Sequence, residues 1–294
     1  MNMRIDQPGE RAQQYFLEAE AYDRKGDVYN AVKLYKKAIR LAPQWSPPFT
    51  RLGTIYRDRA DWKTSLHYTQ KSLQLDPDER QSWLNLGLAS TALKKWRTAR
   101  QAWNRLGYEF RESDQSTDFD LGAAAIYINP RTQPEVVWAR RIDPARAILL
   151  SIPQPSSGHR YQDIVLFDPA SEGAQVVGTQ KWPAYREIQL LKSSPYKTFT
   201  VELLEATPNQ VDLLGRLCAQ ERVGFDNWSA ATHLFLPPAF RDQPEFHLHP
   251  LPPEVGQSPT LVALAAKSER PLDRVLHNWE IITLCEYRNL QLVF

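Results

Sequence analysis

Apolar positions in the first third of the chain recur at helical spacing, and the recurrence itself repeats. Tyr15, Ala19 and Tyr22, then Ala31, Tyr35 and Ala38, fall three or four residues apart, which places each set on one face of a helix. Phe49 and Trp83, Leu52 and Leu86, Gly53 and Gly87, Trp62 and Trp96, and Pro43 and Pro77 each stand 34 residues apart. A fixed period of this length marks stacked helix pairs, none of which can bury its apolar face alone. Three pairs are expected, over 12–45, 46–79 and 80–110, preceded by a tail of residues 1–11.

The pattern changes near Asp118. Short apolar runs follow one another, divided by proline; 17 of the 22 prolines lie in residues 111–294. Such runs predict strands over 123–129, 135–142, 145–152, 163–168, 174–178 and 187–192, close enough together for a small barrel or sandwich within 118–195. Residues 196–294 read differently. Strands are expected over 197–206, 231–236, 260–266 and 290–294, with helices from Pro208 through Cys218 and over 268–280. Pro208 and Pro271 sit early in their helices, where a missing N–H costs nothing. Two such strand–helix–strand units make a ferredoxin-like βαββαβ sheet. Residues 111–117, within the polar run RESDQSTDFD, suit a linker. The fold class is therefore an all-α solenoid of three repeats followed by an α+β domain over 118–294.

The repeated residues resemble the tetratricopeptide signature, in which a large residue, Leu-Gly and Tyr mark the first helix and Ala, an aromatic, Ala and a closing Pro mark the second. The first unit carries Ala31, Tyr35, Ala38 and Pro43; the second carries Phe49, Leu52, Gly53, Tyr56 and Pro77; the third carries Trp83, Leu86, Gly87, Ala99 and Trp103. Ala19 stands for the first glycine, Ser65 and Ser72 for alanines, Thr69 for an aromatic and Ser90 for a tyrosine. The resemblance covers about a third of the chain and implies a concave groove lined by the first helix of each unit. Its lining positions map to Gln13, Phe16, Glu20, Asp23 and Arg24; to Pro47, Thr50, Thr54, Arg57 and Asp58; and to Gln81, Leu84, Leu88, Thr91 and Ala92. Phe16, Leu84 and Leu88 are expected as apolar sockets among charges of both signs. Family members that clamp acidic carboxy-terminal tails of chaperones place Lys and Asn where this chain has Phe16 and Glu20, and a glutamate there repels a tail carboxylate.

The resemblance thus implies a non-catalytic adaptor that holds a partner protein or peptide segment through the groove and the second domain. A dedicated inhibitor or immunity-type partner, working through the second domain, is the alternative. With no polar capping helix after Phe110, the last repeat is expected to be covered by the second domain or by a second copy of the chain.

Charge and composition narrow this picture. Residues 1–110 hold 19 Lys and Arg against 12 Asp and Glu, a net +7, and residues 111–294 hold 17 against 22, a net −5. The basic residues are interspersed with acids, so no nucleic-acid partner is expected. No window has the roughly 20 apolar residues of a membrane span, and MNMRIDQPGER lacks the apolar core of a secretory signal, so a cytoplasmic location is expected. Cys218 and Cys285 have no CxxC spacing and read as free thiols.

Three constellations carry candidate chemistry. His247 and His249 share one face of a strand, with Glu254 beyond, a spacing from which a metal-dependent enzyme is the third reading; the glycines of an HxHxxxxE metal motif are missing and Pro250, Pro252 and Pro253 interrupt the strand. Asp163 and Asp168 bracket IVLF at an odd spacing and face opposite sides. Ser156, Ser157 and His159 lack the strand–turn–helix elbow of a nucleophile. No GxxxxGK[ST] or GxGxxG occurs, and no cofactor is expected.

Overall fold

A computed structural model describes residues 8–294 except 131, 133–134, 171–172, 178–179, 230–244 and 248–258; in 173–177, 180–181 and 245–247 it describes the backbone alone. The chain divides into two compact units, Met1–Thr117 and Asp118–Phe294.

Among its described residues the first unit has six helices in three antiparallel pairs: α1 (Glu10–Arg24) with α2 (Val28–Leu41), α3 (Pro47–Asp58) with α4 (Trp62–Leu75), and α5 (Arg80–Ala92) with α6 (Trp96–Arg105). The period is visible in the backbone. Gly26, Ala60 and Lys94 take φ of 78°, 55° and 58° at the same place in each turn between paired helices. Asp27 and Asp61 then cap α2 and α4, each accepting a backbone N–H three residues on at 3.1 and 3.2 Å. Gly53 and Gly87 mark where the paired helices approach most closely. A Cβ on Gly53 would meet Thr69 Oγ1 at 2.7 Å, and one on Gly87 would meet the Trp103 ring at 2.7 Å. Ala19, Ala31, Tyr35 and Leu52 are fully buried between the first two pairs.

Residues 111–117, read from their composition as a linker, lie along α6 together with Phe110. Asn104 both accepts the Phe110 N–H and donates to its carbonyl at 2.8 Å, and the buried Arg100 donates to the carbonyls of Arg111 and Gln115 and to Thr117 Oγ1. A polar run without its own apolar residues can be ordered this way when a helix supplies donors for its carbonyls.

In the second unit, β1 (Ala123–Ile128), β2 (Glu135–Arg141), β3 (Arg146–Leu149), β4 (Ile164–Phe167) and β6 (Gln180–Lys192) form a small closed five-stranded barrel. Four antiparallel steps bring the fifth strand back in the direction of the first, so the ring closes on a parallel pair, Ala125 with Ala184 through Tyr127 with Arg186. Ile126, Ile128, Val137, Leu149, Val165 and Phe167 fill it. β5 (Gly173–Val177) stays outside the ring as the hairpin partner of the first half of β6, and β9 (Glu245–His247) pairs with β5. β6 begins earlier than its apolar run, since QKWPAY gives no alternating signal.

Beyond the barrel come β7 (Lys197–Leu203), α7 (Pro208–Gln220), β8 (Gly224–Asp226), β10 (Thr260–Ala266), α8 (Arg270–Thr283) and β11 (Tyr287–Leu292), the strands forming one antiparallel sheet in the order β11-β7-β10-β8. β8 is too short to show in the apolar pattern; the expected strand 231–236 lies outside the described residues. Thr207 and Gln210 close a capping box over Pro208. Both helices pack on one face of this sheet around Trp279, Leu214, Val201 and Leu264. The other face, at Ala263 and Ala265, receives Ile152, Tyr161, Tyr196 and Trp228. Among the described residues no helix is long and apolar enough to cross a membrane.

Candidate functional site

The first helices of the three repeats are joined to one another by polar side chains. Arg51 Nη2 donates to Glu20 Oε1 at 2.6 Å, tying α3 to α1. Between α3 and α5, Arg57 Nη1 donates to Asn85 Oδ1 at 3.1 Å and Asn85 Nδ2 to Thr54 Oγ1 at 2.9 Å, while Gln81 Nε2 also reaches Asn85 Oδ1 at 3.1 Å. Below them Thr50, Ser72 and Ser82 share a buried set of hydroxyl hydrogen bonds of 2.7 to 3.3 Å.

Of the lining residues expected from the repeat pattern, Gln13 and Arg24 are exposed, and Phe16, Glu20, Asp23, Thr54, Gln81 and Leu84 are half-buried. Thr50, Arg57, Leu88 and Thr91 are buried, Leu88 completely. Leu88 is therefore not the open socket that its position suggested, and Phe16 packs its ring 4.9 Å from Trp45 and 5.5 Å from Tyr35. Arg57, expected as one of the groove charges, has its side chain committed to Asn85 and Asp58. Glu20, Asp23 and Arg51 form a charged group among these positions. Burial raises the Asp23 carboxyl above the ordinary range; Arg51 opposes the shift, while Asp58 and Glu20 add to it.

Arg51 and Asn85 were missed by the mapping of family positions. They stand 34 residues apart, each two residues before the glycine of its repeat, so the period itself contained the signal.

The other candidate chemistry resolves into structure. Asp163 and Asp168 flank β4 and accept backbone N–H groups, from Ser194 and Arg160 in one case and Ala170 in the other. Ser157 Oγ meets the backbone N–H of His159, not its ring. The buried His159 ring sits between two acceptors: Nδ1 is 3.0 Å from the Ser157 carbonyl and Nε2 is 2.7 Å from Glu187 Oε1. A neutral imidazole can donate from one nitrogen only, so this geometry suits the imidazolium. Burial disfavours that charge, but the hydrogen bond and charge of Glu187, the Ser157 carbonyl and Asp163 outweigh it and hold the His159 pKa above its ordinary value. Glu187 Oε2 also accepts the Asn129 N–H at 3.0 Å. His249 and Glu254 lie outside the described residues, and His247 is described only through the pairing of β9 with β5. Among the described residues no group of three or more His, Cys, Asp or Glu is placed to hold a metal.

Residues 12–44 match the tetratricopeptide repeat family model. The first unit is built of tetratricopeptide repeats. The human tetratricopeptide repeat protein 6 is 33% identical over 70 residues, 24% of this chain and 14% of that protein, so the chain spans only a small part of this relative. Among solved structures, the complex of the TPR2B domain of yeast Sti1 with pHsp70 is 22% identical, covering 32% of this chain and 76% of that one at a TM-score of 0.31. The first repeat domain of Spaghetti (RPAP3) bound to the HSP90 peptide SRMEEVD is 17% identical, covering 36% and 82% at a TM-score of 0.33. The Sgt2 domain from Aspergillus fumigatus is 19% identical, covering 35% and 69% at a TM-score of 0.32. The family-model match lies within the helical unit.

Proposed function

We propose that the chain is a non-catalytic adaptor that grips a segment of a partner protein along the polar face shared by α1, α3 and α5. The observation that carries this reading is the charge balance there. Asp23 is partly desolvated beside Glu20 and Asp58, with Arg51 the opposing cation and already bonded to Glu20. A Lys or Arg side chain from a partner relieves that carboxylate cluster, and an apolar neighbour in the same segment can cover the half-buried Leu84. The groove so read selects a basic segment over an acidic tail, in keeping with Glu20 in its lining. The second unit adds a further contact, and its β7–β11 part is read as a ferredoxin-like sheet.

The test is affinity capture from native lysate with the full chain and its Asp23→Lys variant. A partner held by the wild type and lost by the variant, with unchanged helical circular dichroism, supports the groove. The same partner retained at equal yield by the variant overturns it.

A further inference from the structure

The last repeat shows how this module holds an extended acidic segment. Arg97, Arg100, Gln101 and Asn104 form one stripe along α6, and residues 110–117 engage every member. Arg97 donates through Nε and Nη2 to both carboxylate oxygens of Asp114, at 3.1 and 2.8 Å. Gln101 Nε2 donates to Glu112 Oε1 at 3.1 Å. Arg100 and Asn104 hold the backbone on either side of those carboxylates, at Phe110, Arg111 and Gln115. The stripe thus reads acidic side chains and peptide carbonyls together, which is what an extended segment offers.

Two periods earlier the same stripe on α2 is Tyr29, Val32, Lys33 and Lys36, and Arg40 continues it by one turn. These five residues, with Arg59 from the end of α3, line a cavity of about 880 Å³. Four cations face it, and among the described residues no carboxylate forms an ion pair with any of them. Asp27, the acid in the wall, is committed to Asn30 through both its oxygens. Tyr29 is 76% exposed, a large ring left in water beside the half-buried Val32. The corresponding stripe of the middle repeat, Lys63, Leu66, His67 and Gln70, has a single lysine, so the basic cluster is not a by-product of the repeat pattern.

We propose that the outer face of α2 is a second docking surface, which takes an extended acidic segment of a partner protein along the stripe that residues 110–117 follow on α6, through its carboxylates and an apolar side chain, since Tyr29 and Val32 stand where Arg97 and Arg100 do. Carboxylates of the segment pair with Lys33, Lys36 and Arg40, and an apolar side chain between them covers Tyr29 and Val32. The surface belongs to the second helix of its repeat and has the opposite preference to the first-helix face, so the two sites work independently.

The experiment is fluorescence anisotropy of the full chain with a fluorescein-labelled probe peptide, Glu-Asp-Phe-Glu-Asp-Glu. Saturable binding that weakens as salt is added is expected, falling at least tenfold in a Lys33→Glu, Arg40→Glu variant and persisting in Lys33→Arg and in Arg51→Glu. Lys33 and Arg40 are exposed, so the double variant should retain the fold, which circular dichroism checks. Absence of saturable binding, equal binding by the double variant, or loss on Arg51→Glu, which would place the probe on the cation of the groove, each overturns the proposal. Loss on Arg97→Glu with the double variant unaffected does so as well, because it puts the probe on α6.

Discussion

Replacing Glu187 by alanine is expected to destabilise the second unit by about 3–5 kcal/mol, the range for breaking a buried charged pair by removing one partner. The carboxylate serves two donors, His159 Nε2 at 2.7 Å and the Asn129 N–H at 3.0 Å, and alanine leaves both without an acceptor in a site where His159 is only 5% exposed. Glutamine is a different perturbation. Its carbonyl keeps the Asn129 bond and its amide can donate to Nε2 of a neutral imidazole that still donates from Nδ1 to Ser157, so Glu187→Gln should cost no more than about 1–2 kcal/mol. The two variants also differ in pH dependence. Because the folded-state pKa of His159 lies above its ordinary 6.5, its contribution to stability is fully present below pH 6.5 and is lost as the pH rises through the folded value. The wild type therefore loses stability on the alkaline side of that window, whereas Glu187→Gln, which holds its histidine neutral when folded, gains stability as the pH rises through 6.5, because the unfolded histidine then gives up its proton. Urea unfolding of the full chain, followed by tryptophan fluorescence at about pH 6 and about pH 9, reads both effects. A Glu187→Ala midpoint within error of the wild type, or an unchanged pH dependence in Glu187→Gln, would refute the assignment of a buried imidazolium.

Two further predictions concern the repeats. Gly87→Ala should destabilise despite the better helix propensity of alanine, by about 1–3 kcal/mol, because its Cβ would lie 2.7 Å from the ring of the buried Trp103; a thermal melt that rises instead would show that the indole can yield. Arg100→Ala should release residues 111–117, since it removes three charge-assisted bonds of about 1.5–3 kcal/mol each from a run whose ordering costs about 1–2 kcal/mol per residue. Amide hydrogen exchange over that run should then approach the free-chain rate, and unchanged protection would contradict it.

The helical unit was legible because its signal is redundant: Gly53 and Gly87, Trp62 and Trp96, and Pro43 and Pro77 each state the period separately. What the pattern could not state was how much of each lining side chain remains open. Leu88 and Thr91 occupy groove positions yet are buried, and Arg57 is drawn into Asn85, because side-chain direction and pairing depend on neighbours that a position rule does not contain. The strap over α6 was illegible for a related reason: RESDQST has no apolar periodicity, and its order comes from donors contributed by α6. In the second unit, Ile126, Val137 and Val165 announced their strands, whereas β8 with three residues and the polar start of β6 carried too little pattern. The His159–Glu187 pair joins residues 28 apart and has no local signature at all.

The parallel seam between β1 and β6 also sets a timetable for synthesis. Ribosomes deliver roughly 5–20 residues per second, and the seam joins residues separated by nearly 60 positions, so β1 waits for several seconds before its second neighbour exists. Through that interval Ala125, Ile126 and Tyr127 present an apolar strand with an open edge, the configuration most prone to pair with another nascent chain. Slow codons or mutations between β4 and β6 should therefore lower the yield of soluble protein without altering the stability of the molecules that do fold.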